Sequence, residues 1–258
     1  MAPLRTIDAT RYVTPLREGG SMPAIVEADD DGMYVLKFRG AGQGPKALVA
    51  ELVVGEIARA LELPVPEIVL IELDPELART EPDPEIQALI RASAGLNLAL
   101  DYLPGAINYD PAAWQPDSEL ASATVWLDAY TTNVDRSFRN TNLLVWHKAL
   151  WLIDHGAALY FHHGWNGSIN SADSRFPMIR DHVLLPLAAD LEAADERLAP
   201  LITRELLESI LARVPDSWLS GEDAWAEPAI QRAAYIEYLL RRLAHRRGFI
   251  EEALHARG

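Results

Sequence analysis

The sequence contains no cysteine among its 258 residues. This absence excludes disulfide bonds, thiolate catalysis, cysteine-bound zinc and iron–sulfur clusters, and it fits an expected cytoplasmic location. No apolar run approaches the roughly 18 residues that a membrane-spanning helix needs, so we expect no membrane association. The N-terminus also lacks the basic and apolar stretches of a secretory signal.

Basic residues are scarce: 23 Lys+Arg stand against 38 Asp+Glu, which gives a formal net charge of −15. Because attraction to phosphates needs a positive surface, this balance argues against general nucleic-acid binding. Hydrophobic residues make up 49% and charged residues 24% of the chain. These shares are ordinary for a globular protein and exclude a mainly disordered one. The length suits one large domain or two small lobes.

Hydrophobic periodicity divides the chain into a β-rich first part and a helical second part. The predicted strands are 11–16, 23–27, 33–38, 67–73 and a strand from Gly95, and the main helix of this part is 46–63. The predicted later helices are 118–132 with Ser118 as N-cap, 184–194, 203–214 and 228–254. We therefore predict a boundary that separates residues 1–97 from residues 98–258.

A β-hairpin is predicted among the later helices, where two apolar runs between residues 143 and 153 flank His147-Lys148. The polar residues beside it are Asp135, Asn140 and Asn142 before the hairpin and Asp154 after it. Because a tight hairpin returns the chain to where it began, we expect both carboxylates to converge with Asn140 or Asn142. Carboxylate and amide oxygens are the ligands that Mg²⁺ prefers.

A lysine and two glutamates upstream complete the set of candidate residues. Lys37 lies in an apolar strand, and Glu51 and Glu56 lie in the following helix. A strand lysine paired with a helix glutamate is the usual device for holding nucleotide phosphates. Both glutamates stay open as the partner, with Glu51 preferred.

Several of these residues also have simpler interpretations. Taken singly, Asp135-Arg136 is typical of a solvated ion pair in a loop. The three histidines His155, His162 and His163 match no zinc spacing, although metal-dependent hydrolysis with Asp154 stays an alternative. Arg241-Arg242 and Arg246-Arg247 predict a solvated face of the last helix.

The order of these features resembles the HipA-like kinases, which belong to the protein-kinase-like superfamily together with the phosphoinositide 3/4-kinases. The resemblance covers about residues 11–163. The segments that carry it are Leu63-Pro64-Val65-Pro66, Asp135-Arg136 through Asn140 before an Asn-Leu-Leu strand, and Leu152-Ile153-Asp154-His155-Gly156. The resemblance implies an α+β, two-lobed protein-kinase-like fold, with a small β-rich N-lobe containing one main helix and a mostly helical C-lobe.

The resemblance also implies a role for each candidate residue. Lys37 would contact the α/β-phosphates of ATP, Glu51 would pair with Lys37, and Asp135 would be the catalytic base. The Mg²⁺ ligands would be Asn140 and Asp154, with Asn142 as an alternative to Asn140. The remaining nucleotide contacts would be Leu100 and Tyr102 in an adenine-binding hinge over 98–103, and Gly19, Gly20 and Ser21 over the phosphates.

The function implied is that of an ATP-dependent phosphotransferase that transfers the γ-phosphoryl group to a hydroxyl of protein serine or threonine. The family also includes toxin-type kinases, so the resemblance implies an antitoxin-like protein as a further partner. Two alternatives stay open. One is a kinase that acts on a small molecule or a lipid headgroup, and the other is a pseudokinase that binds nucleotide without catalysis.

Overall fold

The computed structural model describes residues 4–16, 22–42, 44–165, 168–220 and 225–258, and a closed five-stranded barrel forms its N-terminal part. The strands are β1 (Thr6–Pro15), β2 (Ala24–Ala28), β3 (Met33–Lys37), β4 (Ile68–Leu73) and β5 (Gly95–Asp101). Their order around the barrel is β1-β2-β3-β5-β4, and a parallel pairing of β1 with β4 closes it. The other neighbours are antiparallel. The predicted hairpin between β2 and β3 is confirmed.

The two faces of the barrel wall pack against different parts of the protein. Side chains alternate across a strand, so Leu36 and Ala99 pack in the barrel interior. Lys37 pairs with Leu98, and both lie on the outer face. That face meets helix α1 (Pro45–Ala60), and the apolar residues of α1 belong to the same hydrophobic cluster as Leu98. Lys37 is therefore directed towards α1 rather than into the barrel.

Two helices flank the barrel. In α1, every residue from Leu48 to Ala58 is buried, including Glu51 and Glu56. Helix α2 (Pro84–Ala92) is capped by the Asp83 side chain, which accepts a hydrogen bond from the backbone N–H of Glu85. Ile86 and Ile90 of α2 pack into the interior core of the barrel.

The C-terminal part combines a small sheet with helices. Its strands are β6 (Ile107–Asn108), β7 (Leu143–Trp146) and β8 (Ala149–Leu152), in the order β6-β7-β8. Its helices are α3 (Ser118–Thr131), α4 (Leu191–Leu198), α5 (Arg204–Leu211), α6 (Pro228–Ala244) and α7 (Arg247–Arg257). The predicted β7–β8 hairpin is confirmed. One hydrophobic cluster joins β7, β8 and these helices to α1.

Three predicted helix boundaries are wrong. The N-cap of α3 is Asp117, whose side chain accepts the backbone N–H of Leu120, whereas Ser118 accepts the N–H of Ala189 instead. The predicted helix 184–194 is a 3₁₀ turn over Leu185–Leu187 followed by α4, because the backbone leaves the helical region at Ala188, whose ψ is 68°, before α4 begins. The predicted helix 228–254 is divided into α6 and α7 near His245.

The division into two lobes at residue 97 stays a prediction, and strand β5 itself continues to Asp101. Within the described ranges, no helix combines the length and apolar character that crossing a membrane requires.

Candidate active site

Lys37 ends strand β3 with its ammonium group between two carboxylates. Its Nζ lies 2.7 Å from Asp154 Oδ1 and 3.8 Å from Glu51 Oε2. The Lys37 and Glu51 side chains are almost fully buried, whereas the Asp154 side chain is 37% exposed. The structure thus brings together the strand lysine, the helix glutamate and the aspartate that follows the hairpin. Glu56 is directed elsewhere and forms ion pairs with Arg59 and Arg213.

Burial and charge set opposite pKa directions for the two carboxylates. Burial raises the pKa of Glu51 to about 7, although the charge of Lys37 acts to lower it. Burial would also raise the pKa of Asp154, but the charge and hydrogen bond of Lys37 outweigh it and lower that pKa. For Lys37, burial acts to lower the pKa, and the charges of Asp154 and Glu51 raise it overall. Lys37 and Asp154 therefore form a charged pair.

The loop between α3 and β7 gathers the other polar candidates around Asp135. The Nδ2 of Asn140 donates to Asp135 Oδ2 at 2.8 Å. The Nδ2 of Asn142 donates to the backbone oxygen of Asp135 at 3.1 Å and to its Oδ2 at 3.3 Å. Each amide directs its nitrogen to Asp135 and leaves its oxygen for another partner. Both asparagines stay candidates for a metal ligand.

The hairpin connects this loop to Asp154. The backbone N–H of Ile153 donates to the carbonyl oxygen of Asn142 at 3.1 Å, which closes the open end of the hairpin. One residue earlier, the N–H of Leu152 donates to the carbonyl oxygen of Pro64 at 2.7 Å. The Leu63-Pro64-Val65-Pro66 segment therefore ties the end of α1 to the strand that presents Asp154.

Arg136 is a residue that the sequence interpretation missed. It is buried, not solvated, and its Nε donates to Asp128 Oδ2 at 2.5 Å. Burial would raise the pKa of Asp128, but the charge of Arg136 and the hydrogen bond from His182 hold it well below its usual range. An aspartate inside the apolar sequence of α3 is the one signal that could have indicated a buried cationic partner.

The histidines do not form a zinc site. His155 is fully buried, and burial, together with the charge of Arg136, lowers its pKa to about 3. The Nδ1 of His162 lies 2.9 Å from the hydroxyl of Tyr235. In the part of the chain that the structure describes, no three His, Cys, Asp or Glu side chains are grouped to hold a metal. By their chemistry, the carboxylate of Asp154 and an asparagine amide oxygen fit instead a hard divalent cation that phosphate oxygens help to hold.

Of the predicted nucleotide contacts other than Lys37, the structure describes Leu100 and Tyr102. Leu100 is buried on the outer face of the barrel, two residues from Leu98, the partner of Lys37. The backbone N–H of Tyr102 donates to the carbonyl oxygen of Met33 at 3.0 Å, directly after β5 ends. The predicted phosphate contacts Gly19, Gly20 and Ser21 lie outside the described residues.

Comparison with known families shows the family to which the chain belongs. The sequence profile described as "HipA-like kinase" matches residues 10–252, which is nearly the whole chain. The chain belongs to the HipA-like kinase family. A search of curated proteins finds no match.

Solved structures show that this HipA-like kinase has a kinase-like fold. The Helicobacter pylori proinflammatory kinase CtkA aligns with a TM-score of 0.57 at 14% identity, covering 95% of this chain and 98% of that one. The Golgi casein kinase with Mn/ADP bound aligns with a TM-score of 0.52 at 12% identity, covering 98% of this chain and 74% of that one. These likenesses confirm the predicted α+β, kinase-like fold class.

Proposed function

We propose that this protein is an ATP-dependent kinase that transfers the γ-phosphoryl group to a hydroxyl of a protein serine or threonine. The observation that carries the proposal is the buried Lys37, held between Glu51 and Asp154. A buried ammonium needs anionic partners, and a phosphate group would be a further one. Membership of the HipA-like kinase family supports the same activity.

In this proposal the outer face of the barrel binds the nucleotide. Val35, Leu98 and Leu100 share that face with Lys37, since β3 and β5 pair Val35 with Leu100 and Lys37 with Leu98. Val35 is only partly buried and would contact the adenine ring, with the buried Leu98 and Leu100 beside it on the same face, and the chain after Asp101, including Tyr102, offers the hinge. Lys37 then contacts the α/β-phosphates while Glu51 holds its ammonium group in place.

The metal ligands in this proposal are Asp154 and one of the two asparagines, Asn140 or Asn142. All three supply hard oxygens, which suits Mg²⁺ bound together with nucleotide phosphates. The Golgi casein kinase structure with Mn/ADP bound supports a divalent cation in a protein of this fold. The cation would neutralise the negative charge that builds up on the phosphate oxygens.

Asp135 is proposed as the catalytic base. The acceptor hydroxyl oxygen forms a bond to the γ-phosphorus, the bond from that phosphorus to the β,γ-bridging oxygen breaks, and ADP leaves. Asp135 accepts the proton that the hydroxyl loses. Asn140 donates to Asp135 Oδ2 and would hold this carboxylate in position.

The acceptor class is tested by incubating the purified protein with γ-labelled ATP and Mg²⁺, alone and in a lysate. We expect label on serine or threonine of this protein or of a lysate protein, an antitoxin-like partner included. Label found only on small molecules or lipid headgroups would contradict the protein acceptor and favour that alternative. Bound ATP with no transfer to any acceptor would favour the pseudokinase.

Nucleotide binding is tested by Lys37→Met, with Lys148→Met as the matched control. Lys148 is the exposed lysine of the hairpin turn, so the control makes the same change away from the site. We expect Lys37→Met to weaken ATP binding in titration calorimetry while the fold persists, because the phosphates lose their buried cation. Lys148→Met should bind ATP as the parent does. Equal ATP affinities in all three proteins would contradict the role of Lys37.

A further inference from the structure

We propose that Arg136 is a positioning residue that holds Asn142 and Asp154 in the geometry needed for metal-dependent nucleotide binding. The inference rests on the proposed function, because it assigns a task to a residue next to the proposed base. Asp135 and Arg136 are adjacent, yet Asp135 is partly exposed while the Arg136 side chain is fully buried.

The guanidinium group of Arg136 bonds to both ends of the hairpin. Its Nη1 donates to the carbonyl oxygen of Asn142 and, at 3.3 Å, to the carbonyl oxygen of Ile153. Its Nη2 lies 3.3 Å from Nδ1 of His155. One planar group thus contacts the backbone of a candidate metal ligand and the residues on both sides of Asp154. Only a fork-shaped cation can serve all of these acceptors together.

The two residues held in this way have unfavourable backbone angles. Asn142 has a φ of 48° and Asp154 a φ of 55°, both in the left-handed region. That region is unfavourable for an ordinary L-residue, although Asn and Asp tolerate it better than most. Arg136 fixes the carbonyl group of Asn142 itself and that of Ile153, the residue before Asp154. It can therefore hold both peptide planes in orientations that the local chain does not favour by itself.

The buried carboxylate of Asp128 in α3 holds Arg136 in place. Asp128 is fully buried, accepts from Arg136 Nε, and also accepts from Asn133 Nδ2 at 3.0 Å. His182 Nε2 lies 2.9 Å from Asp128 Oδ2, and the backbone N–H of Leu184 donates to His182 Nδ1. His182 Nδ1 is therefore an acceptor, and its Nε2 carries the proton donated to Asp128. Three donors thus fix the carboxylate that orients the guanidinium.

The contacts of Arg136 extend through His155 to α1, the helix that carries Glu51. A Cβ atom on Gly55 would lie 3.8 Å from Cδ2 of His155, so the imidazole ring lies beside α1 at this glycine. Gly55 is one helical turn after Glu51 and on the same side of α1. Arg136 therefore contacts Asn142, the peptide before Asp154 and the ring that packs against the glutamate helix.

The test is Arg136→Lys, with Arg242→Lys as the matched control. Lysine keeps the charge opposite Asp128 but offers one ammonium in place of the fork. Arg242 is equally buried and bonds to four carbonyl oxygens, which belong to Ala129, Tyr130, Ala172 and Ser174. Its bonds reach neither Asn142 nor Ile153. Both variants therefore replace a buried guanidinium, but only one touches the proposed metal ligands.

Titration calorimetry should measure ATP affinity with EDTA and with Mg²⁺ for the parent, both variants and Asp154→Asn. We expect Arg136→Lys to bind metal-free ATP as the parent does. The factor by which Mg²⁺ raises its ATP affinity should be about 10- to 100-fold smaller than in the parent. Asp154→Asn should show no Mg²⁺ gain. Arg242→Lys should keep the full gain even where its thermal midpoint falls as far as that of Arg136→Lys.

A full Mg²⁺ gain in Arg136→Lys would overturn the inference, as would equal losses in Arg136→Lys and Arg242→Lys, which would indicate destabilisation alone. Absence of any Mg²⁺ gain in the parent would instead contradict the proposed function. Should Arg136→Lys not fold, the double variant Asp128→Asn with Arg136→Gln removes both buried charges together. The same selective loss is expected there, and an undiminished gain would again overturn the inference.

Discussion

At the scale of single residues, burial acts against the negative charge of Glu51. Its carboxylate is buried 3.8 Å from the ammonium of Lys37, which lies closer to Asp154. Burial raises the pKa of Glu51 from 4.5 to about 7. The folded protein therefore keeps this proton over a pH range in which the unfolded chain releases it, so stability falls as the pH rises from 4.5 towards 7.

We therefore expect Glu51→Gln to be more thermally stable than the parent at pH 8, with the difference shrinking as the pH falls towards 4.5. The neutral amide does not become charged, so it avoids the cost of burying an anion. Glu196→Gln, which makes the same change at an exposed position of α4, is the matched control. Scanning calorimetry at several pH values checks this. A pH-independent difference for Glu51→Gln would show that the glutamate does not titrate in this window.

The sequence could predict the side chains that meet at the site but not the buried arginines. Lys37 and Asp154 follow from local patterns, an apolar strand and a hairpin that ends in Asp-x-Gly. The local sequence predicts solvated side chains for Arg136 and Arg242, because nothing local shows which segments cover them. Arg242 is buried because it bonds to the carbonyl oxygens of Ala129 and Tyr130, which lie in the last turn of α3.

At the scale of elements, the β7–β8 hairpin brings Asn142 next to the peptide that precedes Asp154. Its register pairs Leu143 with Leu152, so the two chains leave the hairpin side by side. The turn residues His147 and Lys148 have φ values of 48° and 64°. Two left-handed residues define a type I′ turn, which matches the twist of the strands but favours Asn and Gly. The hairpin was predictable from its two apolar runs, although its turn residues are atypical.

Lys148→Gly should therefore stabilise the protein by about 1 kcal/mol, because glycine adopts positive φ without a Cβ clash. Lys148→Ala is the control, since it removes the same long side chain but keeps the Cβ atom. Denaturant unfolding should separate the two variants, and ATP affinity should stay at the parental value in both. A glycine variant no more stable than the alanine variant would contradict the turn assignment.

At the scale of the whole molecule, contacts between distant segments determine parts of the fold that local sequence patterns do not predict. The order of strands and helices predicts an α+β fold, but the closure of the barrel depends on a parallel pairing of β1 with β4, which lie far apart in sequence. The Nε1 of Trp146 donates to the carbonyl oxygen of Pro104 at 3.0 Å, and that of Trp218 to the carbonyl oxygen of Leu96. The Trp218 contact joins strand β5 of the barrel to the C-terminal part, and neither contact is encoded in a single segment.

The central claim is that this fold transfers a phosphoryl group with Asp135 as the base, and Asp135→Asn tests it most directly. General-base catalysis typically contributes about 10²- to 10⁴-fold, and its loss lowers kcat without weakening substrate binding. Asp181→Asn, at an exposed aspartate, is the control. The measurement is γ-labelled ATP transfer alongside ATP affinity. We expect Asp135→Asn to bind ATP normally and to transfer phosphate at least about a hundredfold more slowly than the parent and the control. Transfer by Asp135→Asn at the parental rate, or no transfer by the parent with any acceptor, would contradict the account.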